Sequence, residues 1–165
     1  MSHAELPVSD WVARWAPLIR RGPVLDLACG AGRHARFFHD RGLPVVAVDR
    51  EPQVLSNGIV FVRANLEDGS PWPFAGQLFG GIVVTNYLHR PLFPQLAASL
   101  EAGGVLVYET FMAGNEKYGR PSNPEFLLRP GELLEAFKAL SLVAFEQGYV
   151  ERPKPAVTQR ICVQR

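Results

Sequence analysis

The residues with the clearest chemical purpose run from Val24 to Ala35, as Val-Leu-Asp-Leu-Ala-Cys-Gly-Ala-Gly-Arg-His-Ala. An apolar run enters a turn with glycines two apart, Gly30 and Gly32, and a helix-like segment opens at once. Glycine lets a backbone bend tightly and lie close to a ligand. The helix start adds N–H groups and the positive end of a dipole. Gly30-x-Gly32-x-x-Ala35 also has the spacing of a dinucleotide-binding turn, with Asp49 about 20 residues on, where the ribose-binding carboxylate of such sites stands.

Asp26 separates two kinds of ligand. It lies within the apolar run, four residues before Gly30. A carboxylate there would repel the pyrophosphate of NAD or NADP in a partly desolvated cleft. S-adenosylmethionine brings an ammonium and a sulfonium instead, and suits it. Asp26 can also tie down the turn by accepting backbone N–H bonds, and the two roles are compatible. Asp49 serves either ligand, because both carry a ribose diol; capping its own loop is the structural alternative.

These residues need a sheet to position them, and the chain supplies its pattern. Strand-like segments fall at Pro23–Ala28, Leu43–Val48, Ile59–Val62, Gly81–Thr85 and Val105–Glu109, the last entered through a Gly103-Gly104 turn. Helical spacing marks Ser9–Arg21, with Ser9 as N-cap and Pro17 bending or ending it, then Arg33–Arg41 with Phe37 and Phe38 inward, and Pro91–Leu100. Phe111–Arg129 reads as a long loop, of the kind that is usually functional. A helix from Pro130 carries Leu133, Leu134, Phe137 and Leu140, and two strands, Leu142–Tyr149 and Val157–Val163, close the chain. The alternation predicts an α/β fold: a Rossmann-like three-layer sandwich, mostly parallel, with an antiparallel C-terminal strand.

The bulk properties agree. A length of 165 residues fits a single domain over 1–165, and 47% hydrophobic with 20% charged residues places it among globular proteins. A formal net charge of +1 gives no electrostatic reason to expect nucleic acid. No stretch approaches the roughly 20 apolar residues of a membrane span, and Met1–Glu5 is unlike a secretory leader. Cys29 and Cys162 have neither zinc-site nor disulfide-framework spacing, so no metal is expected and a reducing cytoplasm is the expected location.

With these residues in place, the sequence resembles the class I S-adenosylmethionine-dependent methyltransferases. The likeness runs through Val24–Gly32, Val45–Asp49, Ala64-Asn65-Leu66-Glu67 and Leu100–Leu106, in that family's order. The tail, Glu109-Thr110-Phe111, Tyr118-Gly119-Arg120-Pro121 and Asn123–Leu128, is similar to small bacterial tellurite-resistance-type methyltransferases. The resemblance implies S-adenosylmethionine as cofactor, S-adenosylhomocysteine as product and a small-molecule methyl acceptor. It implies that Gly30 and Gly32 pass the methionine portion, that Asp26 serves its amino group, and that Asp49 holds the ribose. Asn65 and the Leu66 backbone would meet the adenine edge. Thr85 and Asn86 would lie beside the methionine portion, and Tyr87, Leu88 and His89 would face the acceptor. Two departures stand out. Only Arg50–Gly58 separates the second and third strands, too short for the usual helix, so that wall of the adenine pocket would be thinner or be supplied by a partner chain in a homodimer. Gly80 stands where relatives often carry an acidic residue, a change expected to be structural.

Methyl transfer from a sulfonium is an in-line displacement that gains most from holding donor and acceptor together. A thiol, soft anion or metalloid oxyanion needs no base, whereas a hydroxyl or ammonium acceptor gains from one. His89 is the candidate base, its alternative being a helix-start histidine bonded to backbone. Tyr118 and Arg120 would close over the site from the long loop, Tyr118 in a catalytic role and Arg120 toward an anionic acceptor. His34 would lie near the methionine carboxylate, assisted by Arg33 or, from the N-terminal segment, Arg14. The rival readings are an NAD(P)-binding oxidoreductase and a non-catalytic S-adenosylmethionine-binding module.

Overall fold

The computed structural model describes residues 6–165, so the Met1–Glu5 stretch lies outside the described residues. Short runs of branched and apolar residues form the sheet: β1 (Val24–Leu27), β2 (Val45–Asp49), β3 (Ile59–Arg63), β4 (Phe79–Thr85), β5 (Leu100–Phe111), β6 (Ser141–Val150) and β7 (Ala156–Gln164). Their spatial order is β3-β2-β1-β4-β5-β7-β6. Pairing is parallel from β3 through β5, and β7 runs antiparallel to both its neighbours. The expected mostly parallel sheet with an antiparallel C-terminal strand is therefore present. The strand order reverses between β1 and β4, and such a switch point opens a crevice at the carboxyl ends of the strands.

Alternation along the strands divides the core between two faces. Val24, Val45, Ala47, Val83, Val105 and Val107 pack under α1 (Asp10–Trp15) and α2 (Arg33–Asp40), against Trp11, Val12, Ala35 and Phe38. Leu25, Leu27, Val48, Ile82, Leu106 and Tyr108 face α3 (Phe93–Ala98) and α4 (Glu132–Ala136), meeting Leu96, Leu133 and Phe137. Each fully buried large side chain contributes roughly 1.5–3 kcal/mol. On this second face Trp72 and Phe74, from the helix-free segment between β3 and β4, stack edge-on and cover the sheet where a crossover helix would lie.

Several boundaries differ from the sequence reading, each for a local reason. Ser9 does cap α1, its hydroxyl accepting from Val12 N–H at 3.3 Å, but the helix stops at Trp15 and a 3-10 turn over Ala16–Leu18 takes up Pro17. The expected Pro91–Leu100 helix is a 3-10 turn at Arg90–Leu92 followed by α3, and Leu100 already belongs to β5. The fifth strand absorbs the Gly103-Gly104 turn instead of starting after it. The last helix spans only Glu132–Ala136, which leaves Leu134 exposed while Phe137 caps the core.

Gly80 has a structural cause, as expected. A Cβ there would stand 1.9 Å from the Arg21 carbonyl oxygen, so the segment leading into β1 can cross β4 only over a glycine.

Candidate functional site

A cavity of about 480 Å³ opens at the carboxyl edge of the sheet. Its walls come in chain order from Ala28 after β1, Asp49 and Arg50 at β2, Ala64–Glu67 after β3, and Asn86–Leu88 after β4. Thr110 and Phe111 at the end of β5, with Pro121 and Phe126 from the long loop, complete them. The volume lies in the range of small-ligand pockets.

The turn after β1 is held open by unusual backbone. Ala28 and Gly30 have φ of 54° and 53°, and Gly32 reaches 86° as the N-cap of α2, with no side chain capping that helix. A positive φ at Ala28 is costly and persists only where neighbours enforce it; Cys29 N–H, bonded to Val48 O at 2.9 Å, is one such restraint. Leu55, from the short β2–β3 connection, lies where a Gly32 Cβ would meet it at 2.5 Å. This connection has no helix, as its length required, and Leu55 covers the glycine turn instead.

Asp49 accepts from Gly30 N–H at 2.8 Å through Oδ2 and from Glu51 N–H at 3.0 Å through Oδ1. It therefore caps its own loop, and each oxygen keeps a further lone pair toward the cavity it lines. Asp26 is 2% exposed and accepts from Ala35 N–H at 3.0 Å, tying the first turn of α2 to β1. Burial pushes its carboxyl up to about 7, against the pull of the Ala35 N–H and Arg33; Asp49 adds to the rise. Such a carboxylate gains strongly from any cation brought beside it. Burial, then Asp26 and Asp49, push the Cys29 thiol up to about 12, so Cys29 stays neutral.

His34 is placed apart from the cavity lining. It is 2% exposed; its Nε2 accepts Ser9 N–H at 3.1 Å and its Nδ1 faces the Thr85 hydroxyl at 3.4 Å. Burial, helped by Arg33, lowers its pKa to about 3, so the ring is neutral with its proton on Nδ1. His34 thus joins the N-terminal segment to the end of β4. Arg33 donates to Pro7 O at 2.7 Å, and Ser9 Oγ donates to Glu109 at 3.0 Å. Arg14 turns away to Glu146 at 3.1 Å.

On the opposite side, Asn65 Oδ1 accepts Glu67 N–H at 2.9 Å, and Glu67 accepts the Tyr87 hydroxyl at 3.1 Å. Burial and the Glu67 carboxylate both raise the Tyr87 phenol, which remains a donor. The buried Tyr108 hydroxyl fixes the Tyr87 carbonyl at 2.7 Å. Asn86 adopts φ 54°, a conformation that asparagine tolerates, and so turns the chain into the cavity wall. His89 lines a smaller neighbouring cavity of about 210 Å³ with Leu66 and Trp72, and its Nδ1 is 3.8 Å from Glu67 Oε1.

The long loop reaches the cavity through Pro121 and Phe126, while Tyr118 and Arg120 stand outside the lining. Tyr118 is half exposed and packs on Tyr149 with ring centroids 5.1 Å apart. Arg90 holds the loop. Its guanidinium meets Glu132 twice, at 2.6 and 2.9 Å, and donates to Glu125 O at 3.0 Å and Leu127 O at 2.9 Å. The sequence reading missed Arg90 and Phe126. An arginine directly after a candidate base reads as surface, and nothing in the loop's composition separates Phe126 from its neighbours.

No family model and no curated protein matches the sequence. Solved structures do. TehB from Haemophilus influenzae is 17% identical with a TM-score of 0.71 over 93% of this chain, which spans only 61% of TehB. An S-adenosylmethionine-dependent methyltransferase from Methanosarcina mazei is 15% identical with a TM-score of 0.70, covering 97% of this chain and 99% of that one. The 1,6-didemethyltoxoflavin-N1-methyltransferase of Burkholderia thailandensis, solved with its acceptor and S-adenosylhomocysteine, is 20% identical with a TM-score of 0.68, covering 92% and 74%. The expected likeness to S-adenosylmethionine-dependent methyltransferases is thus present in the fold.

Proposed function

We propose that this chain binds S-adenosylmethionine in the 480 Å³ cavity and transfers its methyl group to a small-molecule acceptor. The observation that carries the reading is the placement of two carboxylates about the glycine turn. Asp26 lies buried beneath it with a pKa raised to about 7, and Asp49 stands at the cavity's edge with acceptor capacity left. A buried carboxylate here favours a cationic ligand and penalises a pyrophosphate. The neighbours' fold and the S-adenosylhomocysteine bound in one of them agree with it.

In this reading Asp26 serves the ammonium, and Gly30 and Gly32 let the backbone lie against the methionine portion. Asp49 holds the ribose hydroxyls through its remaining lone pairs, while Asn65 and Leu66 meet the adenine edge. Asn86 borders the methionine portion. His34 supports this end by holding the N-terminal segment and β4 in place. Tyr87, Glu67 and the loop residues Pro121 and Phe126 face the acceptor. His89 stands behind Glu67 as its positioning partner, and Tyr118 and Arg120 form the rim beside Pro121. Bound here, S-adenosylmethionine supplies an activated methyl group whose leaving sulfur departs as a neutral thioether. The protein's part is to hold the acceptor in line and exclude water.

The test is a calorimetric and thermal-shift comparison of S-adenosylmethionine, S-adenosylhomocysteine, NAD and NADP. A ligand at 100 times its dissociation constant stabilises the fold by about 2.7 kcal/mol. Binding of the first two alone is expected. A response to NAD or NADP alone would move the chain among oxidoreductases, and binding without turnover on any acceptor would mark a binding module.

A further inference from the structure

Resting on the methyl-transfer reading, we propose that the acceptor is a small organic amine with a flat apolar body, not a metalloid oxyanion or other small anion. On the side formed by the ends of β4 and β5 and the long loop, beyond Asn86, the cavity wall consists of Tyr87, Leu88, Thr110, Phe111, Pro121 and Phe126. Three aromatic rings, a leucine and a proline offer flat apolar contact, and aromatic faces attract cations. None of these six is cationic.

The charged group adjoining this wall is Glu67. Its place is fixed from three sides: its N–H donates to Asn65 at 2.9 Å, its Oε2 accepts the Tyr87 hydroxyl at 3.1 Å, and its Oε1 lies 3.8 Å from His89 Nδ1. A solvated surface glutamate has no such fixing, and Oε1 keeps acceptor capacity for a ligand. The arginines nearby do not balance it. Arg50, the cation lining the cavity among the described residues, follows Asp49 at the β2 end and faces Glu51 at 3.6 Å. Arg90 is spent on Glu132 and two loop carbonyls, and Arg120 is outside the lining. An oxyanion would meet the carboxylates of Asp49 and Glu67 with Arg50, already facing Glu51, as the one guanidinium in the lining among the described residues, and each desolvated like-charge contact costs free energy. An ammonium would gain Glu67 and the ring faces.

An ammonium carries no lone pair, so one proton must leave before transfer. It passes to Glu67 Oε1 and on to water, because the Glu67 side chain is 41% exposed. The freed nitrogen pair forms the bond to the methyl carbon. The carbon–sulfur bond breaks with its electron pair retained by sulfur, giving a methylammonium and a neutral thioether.

The experiment uses the full chain and its Glu67→Gln variant. S-adenosylhomocysteine affinity is measured first, by calorimetry. Turnover is then read as S-adenosylhomocysteine release, with phenethylamine, benzylamine and histamine set against tellurite, selenite and 2-mercaptoethanol. Amine turnover is expected to exceed that of the anions and the thiol. Glu67→Gln should lower amine kcat/KM by about 100-fold, with product affinity held within about threefold. Faster turnover of tellurite, selenite or the thiol overturns the proposal. So does a cofactor-binding protein that turns over none of the amines, or a variant that keeps wild-type amine turnover. Failure of the wild-type chain to bind S-adenosylhomocysteine overturns the cofactor reading itself, and the amine proposal with it.

Discussion

Asp26→Asn should make the ligand-free protein more stable, and by an amount that grows with pH. Burial raises the Asp26 carboxyl from 3.8 to about 7. A folded-state pKa above the unfolded one means that the folded chain holds a proton the unfolded chain has released. The wild type is therefore at its best below pH 4 with respect to this group, and loses stability as pH rises until the folded carboxyl has also ionised near pH 7. The accumulated cost is about 1 kcal/mol at pH 4.5 and at most about 4 kcal/mol by pH 8. An asparagine is never ionised and keeps an oxygen for the Ala35 N–H, which Asp26 accepts at 3.0 Å.

The assay is a set of thermal melts of both proteins from pH 4.5 to 8.5. At roughly 2–4 °C per kcal/mol for a chain of this size, the variant's advantage should widen by several degrees across the range. His34, held neutral with a pKa near 3, also makes stability depend on pH, but it titrates alike in both proteins and cancels in the difference. A poorly paired carboxamide N–H would shift the whole difference curve without altering its slope. A flat difference, or one that narrows as pH rises, would refute the reasoning. With S-adenosylhomocysteine present the order should reverse in part, since the ligand's ammonium stabilises the carboxylate and gains nothing from the amide.

Asp49→Ala removes the acceptor of Gly30 and Glu51 N–H along with the proposed ribose contact; calorimetry should show S-adenosylhomocysteine bound about 10–100-fold more weakly by a folded protein, and near-normal affinity would defeat the ribose assignment. Gly80→Ala drives a methyl into the Arg21 carbonyl, and denaturant melts should show a loss of about 1–3 kcal/mol or more; an unchanged midpoint would mean that the crossing segment simply moves aside. Arg90→Ala leaves Glu132, 9% exposed at its side chain, without its bidentate partner. Limited proteolysis should then cut more readily near Phe126, with a stability loss of about 1–3 kcal/mol and S-adenosylhomocysteine affinity unchanged; equal proteolysis would show that the loop is held by other contacts.

The sheet was legible because most of its strands are short apolar runs bounded by glycine and proline, and their alternation with helical segments marks a mostly parallel sheet. The turn beside the cavity was legible for a related reason: Gly30, Gly32 and Asp49 stand at or just after strand ends, where the backbone fixes position within a few residues, although of these only Asp49 lines the cavity. Helix lengths were less so, since Leu100 carries the same apolar spacing whether it ends a helix or begins β5. His34 reads in the sequence as a neighbour of the methionine carboxylate, yet it stands apart from the cavity lining, and the Ser9 N–H that engages it arrives from 25 residues away, a contact local pattern does not encode. Trp72 and Phe74 show the same limit: an aromatic pair covering a sheet face does the work of a helix without its periodicity.

The two halves of the cavity are held by different means, and this bears on what each can specify. Asp49 and Asn65 are held by backbone N–H groups at 2.8–3.0 Å, from Gly30 after β1 and from Glu51 and Glu67 in their own connections. The loop half rests on side-chain clasps: Asn115 donates to Pro121 O at 3.0 Å, and the Arg90 bonds to Glu125 O and Leu127 O flank Phe126, which lines the cavity. Burial works to raise the Glu132 carboxyl, yet the Arg90 hydrogen bond holds it below its usual value, so the clasp stays charged through the neutral range. On the proposed reading, substitutions in the loop would therefore reshape the acceptor wall without touching Asp49 or Asn65. Solved methyltransferases share this fold at 15–20% identity, and on the proposed reading the clasped loop is where a different acceptor would be accommodated.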